Sequence, residues 1–113
     1  MKVKILNWNS PYNRNGFIDI ANLWVSPDGM YAIIERFRAE LFVSVRIIED
    51  SVDGYICDFV GEYLPYYDSI DARFYSVDWD YMKYGFCKLV RFDMESGFYG
   101  TERRFYFRER QNR

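Results

Sequence analysis

Leu41-Phe-Val-Ser-Val-Arg-Ile47, then Asp53-Gly54, then Tyr55-Ile-Cys-Asp-Phe-Val60 is the stretch that decides the fold. Leu41, Val43, Val45 and Ile47 fall at alternate positions, the two-residue period of a strand with one buried face. Tyr55–Val60 alternates again beyond an Asp-Gly pair. Two such runs around that pair predict a hairpin joining 41–48 to 55–60, with the turn at Asp53-Gly54.

Upstream the pattern continues, since every odd position from Tyr31 to Ile47 is apolar except Glu35. Ser26-Pro27-Asp28-Gly29 reads in two ways. As a turn, with Pro second and Gly fourth, it joins a strand near 17–25 to one starting at Met30. As a helix start, with Ser as N-cap and Pro in the first turn, it opens a helix at about 28–39. Met30, Ile33, Ile34, Phe37 and Leu41 would form the apolar stripe of that helix. Both alternatives stay open. Downstream, 70–79 and 86–93 alternate as strands around a short loop at 81–85. Ser96-Gly97 and Gly100 bracket a turn, and 103–110 makes a last strand. That strand sets Phe105 and Phe107 against Arg104, Tyr106, Arg108 and Arg110. The expected fold is mainly β or α+β: a single domain over 1–113, with an antiparallel sheet and at most one main helix (about 28–39).

Of the 113 residues 24 are Phe, Tyr or Trp, and none is His. Without His, a nucleophile–His–acid triad is impossible and the commonest general acid-base is missing. Neither GxxxxGK[ST] nor GxGxxG occurs. Cys57 and Cys87 are too few for a thiolate metal cluster and read as core thiols. Asp68, Asp71, Asp78 and Asp80 could formally assemble an oxygen-ligand site, but ordinary solvated acids are the expectation. No enzyme activity, metal or cofactor is therefore expected. With neither a signal-peptide run nor a membrane-spanning stretch, the chain reads as soluble and cytoplasmic.

The net charge of −2 is unevenly laid out, at +2 over residues 1–48, −7 over 49–95 and +3 over 96–113. Within the acidic middle, residues 62–84 interleave aromatics with carboxylates, most densely at Asp78-Trp79-Asp80-Tyr81. Tyr66, Tyr67, Trp79 and Tyr81 are the expected anchors for a partner, with Asp68, Asp71, Asp78 and Asp80 steering its approach. The competing expectation makes Tyr63, Phe74, Val77 and Trp79 core residues under a solvated acidic face. The expected partner is a protein, basic or nucleic-acid-binding. Direct nucleic-acid binding is disfavoured by a pI near 5.1. In size and chemistry, though in no motif, the chain is similar to the small acidic, aromatic-rich inhibitors of anti-CRISPR and other anti-defence type. It is similar in the same way to toxin-neutralising immunity proteins. That likeness implies a steric inhibitor of a nucleic-acid-handling protein, or alternatively an immunity protein. A further alternative is a His-free ribonuclease built on Arg104, Tyr106 and Arg108.

Overall fold

The computed structural model describes residues 1–14, 16–36, 41–64, 75–93 and 97–108, with the backbone alone at 91–93 and 97–102. The strands are β1 (Lys2–Leu6), β2 (Ile18–Asp19), β3 (Asn22–Val25), β4 (Tyr31–Arg36), β5 (Leu41–Ser51), β6 (Gly54–Tyr63), β7 (Tyr75–Asp78), β8 (Phe86–Asp93) and β9 (Gly97–Tyr106). The chain is mostly β, and no helix among the described residues reaches seven residues.

β5 and β6 form the expected hairpin, antiparallel from Phe42↔Tyr63 to Ser51↔Gly54. Its turn lies at Val52-Asp53, one residue earlier than the Asp-Gly pair suggested, and Gly54 already belongs to β6. Gly54 has a different task. Its φ is +137°, and a Cβ there would collide with the backbone carbonyl of Lys2. Glycine lets β1 lie close beside β6 at this point.

The helix at 28–39 is not formed: 28–36 is a turn followed by β4, and 37–40 lies outside the described residues. Ser26 and Asp28 decide this locally. Gly29 N–H bonds the Ser26 carbonyl at 2.9 Å. The Asp28 carboxylate accepts from the Ser26 hydroxyl at 2.6 Å and from Met30 N–H at 2.9 Å. Ser26 Oγ accepts from Tyr31 N–H at 3.0 Å, closing the β3–β4 hairpin. The apparent helical stripe arose because β4 is covered on both sides, with Ala32, Ile33, Ile34 and Glu35 all buried. Glu35, which broke the apolar alternation, accepts a bond from Asn22 Nδ2 at 2.6 Å.

The six-stranded sheet runs β2-β1-β6-β5-β4-β3, so its two edge strands are consecutive in the chain. Between them Ile20 N–H bonds Met1 O at 3.1 Å and Ala21 N–H bonds Glu35 O at 2.9 Å. The run 18–25 thus joins both edges, and the sheet curls into a small barrel. With the run 18–25 counted as one continuous strand, five strands surround the barrel, an odd number that cannot close entirely antiparallel, and the odd seam is the parallel pair β1–β6, Val3↔Tyr55 to Leu6↔Asp58. The antiparallel expectation did not foresee that seam. Val3, Ile5, Ile18, Ile20, Ala32, Ile34, Leu41, Val43, Val45 and Cys57 fill the barrel.

The second sheet, β7-β8-β9, packs on the barrel's outer wall. Ile33 and Phe42 of the wall meet Cys87, Leu89, Phe105 and Phe107 in a second buried core. β5 is therefore buried on both faces from Leu41 to Val45, not on one. Odd positions of β5 enter the barrel while odd positions of β4 face the second core. The long alternation from Tyr31 to Ile47 is two faces, not one. The thiols of Cys57 and Cys87 lie free in different cores, and burial pushes both up to about 12.

Candidate functional site

Beyond the end of β7 the chain winds into a 3-10 helix, Trp79–Tyr84, where a continued strand to Trp79 and then a loop were expected. Asp78 caps it, its Oδ1 accepting from Asp80 N–H at 3.1 Å. Gly85, at φ +89°, ends it and donates its N–H to Met82 O at 2.9 Å. Phe107 N–H then bonds Gly85 O at 2.7 Å, tying the helix end to the chain just beyond β9.

Asp78, Trp79 and Asp80, together with Pro27, Ser76, Val77 and Val90, line an open hollow of about 490 Å³. Asp80 is exposed and Asp78 half-buried. Trp79 is also half-buried and packs on Phe107 at 6.1 Å, so its ring belongs partly to the second core. Tyr63 and Val77 pack there as well, as the core expectation had them, while Phe74 lies outside the described residues. Tyr81 turns away from the hollow and stacks on Phe86 at 5.3 Å. Tyr66, Tyr67, Asp68 and Asp71 lie outside the described residues. Among the described residues no group of three Cys, Asp or Glu gathers as a metal site. None of the described helices is long and apolar enough to cross a membrane.

The end of β9 is anchored by a polar tie. Tyr106 N–H donates to the Tyr63 hydroxyl at 2.8 Å, and Ser44 Oγ donates to Tyr106 O at 2.8 Å. Gly61 makes room for this, since a Cβ there would sit 2.6 Å from the Tyr63 oxygen. Phe105 and Phe107 are buried, and Arg104 and Arg108 are exposed on the other side, as the last-strand pattern predicts. Sequence reasoning passed over Tyr84, Phe86 and Lys88, which join that outward face. The register Phe86↔Tyr106 and Lys88↔Arg104, which only the fold reveals, pairs aromatic with aromatic and cation with cation there.

The chain matches no protein-family model, no curated protein and no solved structure.

Proposed function

We propose that this is a non-catalytic binding protein that docks on a basic, nucleic-acid-handling protein and blocks it sterically, in the manner of an anti-defence inhibitor. The observation that supports this is the hollow in which Asp78 and Asp80 flank the half-buried ring of Trp79. A Lys or Arg side chain entering it meets two carboxylates and an aromatic wall, which combines charge-assisted pairing with a desolvated anchor. Exposed Asp80 acts mainly on encounter, the wall on residence time. A toxin-neutralising immunity protein would use the same hollow on a different partner. We assign the protein to the cytoplasm, where buried free thiols such as Cys57 and Cys87 stay reduced.

Affinity capture from the native host tests the proposal, with wild-type protein and the Asp78→Asn, Asp80→Asn double variant as baits. A basic protein held by the wild type and lost by the double variant is the expected result. Equal retention by both baits contradicts it. Trp79→Ala is a poor probe, because its ring packs on Phe107 and truncation acts on the fold. Incubation with RNA, DNA, nucleotides or glycosides should leave all of them intact. Cleavage of RNA that disappears in Arg108→Ala or Tyr106→Phe would replace the binding protein with a His-free ribonuclease.

A further inference from the structure

The outer face of the small sheet carries a second surface, next to the acidic hollow and opposite in sign, since Asp78 pairs with Lys88 and Asp80 shares the 3-10 helix with Lys83 and Tyr84. Phe86 and Tyr106 are cross-strand partners with rings 5.7 Å apart. Tyr81 and Tyr84 of the 3-10 helix stack on Phe86 at 5.3 and 6.3 Å. None of these four aromatics belongs to either buried core, and Tyr84 is 63% exposed. Cations are set among them: Arg104 lies 5.2 Å over Phe86, Lys83 5.0 Å over Tyr84 and Lys88 4.0 Å over Tyr81. Exposed Arg108 runs past Gly85, close enough that a Cβ there would lie 2.8 Å from its Cδ.

Contiguous rings beside exposed guanidinium and ammonium groups suit a ligand with planar faces and regularly spaced negative charge. Single-stranded nucleic acid has both, because every base has a π-face and every nucleotide a phosphate. A duplex buries its base faces and would leave the rings unused. An acidic protein segment would pair with the cations and offer the rings nothing planar. The net charge of −2 does not decide the matter, because the distribution is local. Asp78 and exposed Asp80 adjoin this face, while the exposed acids Glu49, Asp50 and Asp53 cluster at the hairpin tip, where Ser51 lies roughly 20 Å along β5 from Ser44, which touches β9. Salt at ~0.1 M screens exposed charges beyond about 10 Å.

We propose that this face binds single-stranded RNA or DNA, with bases stacked on Tyr84, Phe86 and Tyr106 and phosphates held by Lys83, Arg104 and Arg108. Fluorescence anisotropy of labelled oligothymidine and oligouridine of ~10 nucleotides, matched to the footprint of a small domain, tests it. Titrations at ~50 and ~150 mM salt should show binding that weakens as salt rises. Tyr84→Ala, an exposed change that should melt like the wild type, is expected to weaken binding about tenfold or more. Arg104→Gln should weaken it less and flatten the salt dependence by about one counterion. The Asp78→Asn, Asp80→Asn double variant should bind oligonucleotide at least as tightly as the wild type, which separates this surface from the hollow. The proposal is overturned by an absence of binding at ~50 mM salt, or by equal affinity for duplex or polyglutamate. It is overturned equally if Tyr84→Ala and Arg104→Gln both leave affinity unchanged, or if the double Asp variant loses oligonucleotide binding.

Discussion

The inside of the barrel and the layer between the two sheets are both dry cores, built from different residues for a geometric reason. The barrel interior is lined by Val3, Ile5, Ile18, Ile20, Ile34, Val43 and Val45, compact branched aliphatics that suit a tightly curled wall. The layer between the sheets is aromatic. Phe105 meets Phe42 and Tyr63 edge-to-face at 5.8 and 4.7 Å, and Tyr31 meets Phe107 in the same way at 5.1 Å. Stacked sheets stand ~10 Å apart, a depth that long flat rings fill better than valines do. The aromatic surplus of the chain thus has a place. It fills the deep layer and continues through Trp79 to the hollow and through Phe86 and Tyr106 to the outer face. On the function proposed above, the barrel is scaffold and the small sheet is the working layer.

The largest effects should come from emptying either core. Phe105→Ala is expected to cost ~3–5 kcal/mol and Ile34→Ala ~2–5 kcal/mol. Because β4 and β5 line both cores, the two variants should lower one shared transition, followed by circular dichroism and by tryptophan fluorescence. Trp8, stacked on Phe59, reports on the barrel, while Trp24 and Trp79 report on the layer. An early separate melt of the layer in Phe105→Ala would divide the molecule into two units.

A smaller effect should follow from Gly61→Ala, whose new methyl displaces the Tyr63 hydroxyl from Tyr106 N–H. The expected cost is ~1–3 kcal/mol by urea denaturation, the range for a buried donor left without its partner. Adding Tyr63→Phe removes the oxygen that clashes, so the two changes should be less than additive. Full additivity would mean the tie between the sheets carries no weight.

The smallest effect lies on the barrel side, at the β3–β4 turn. The Ser26 hydroxyl, and after it Met30 N–H, hold the Asp28 carboxyl below its ordinary 3.8. A lowered folded value stabilises the fold above 3.8, and that contribution is lost as the pH falls through the lowered value. Thermal melts of wild type and Asp28→Asn should therefore differ at neutral pH and converge as the pH drops below 3.8. A gap that stays constant across that range would assign the difference to something other than the carboxylate's charge.

What the sequence made legible follows the same division. The β5–β6 hairpin, β8 at 86–93 and the sidedness of Phe105 and Phe107 could be read because each has a patterned face and clear turn chemistry. β4 could not, because burial on both faces removes alternation, and Ile33-Ile34 then fits a helical stripe as well as a strand. The parallel seam was hidden because β1 is short and finds β6 across fifty residues of chain, with only Gly54 marking the approach. At the site, Asp78, Trp79 and Asp80 share one hollow as neighbours in sequence would suggest, whereas Tyr81 leaves it. The 3-10 helix changes the side-chain direction that a strand period would have kept.

The central claim, that the small sheet works while the barrel supports it, is tested most directly by association kinetics with the partner the protein captures. Two double variants remove the same charge, Asp78→Asn with Asp80→Asn at the hollow and Glu49→Gln with Asp50→Asn at the exposed hairpin tip. Only the first should slow association and flatten its dependence on ionic strength, with both variants melting like the wild type. Equal slowing by the two, no slowing by either, or no captured partner at all would contradict it.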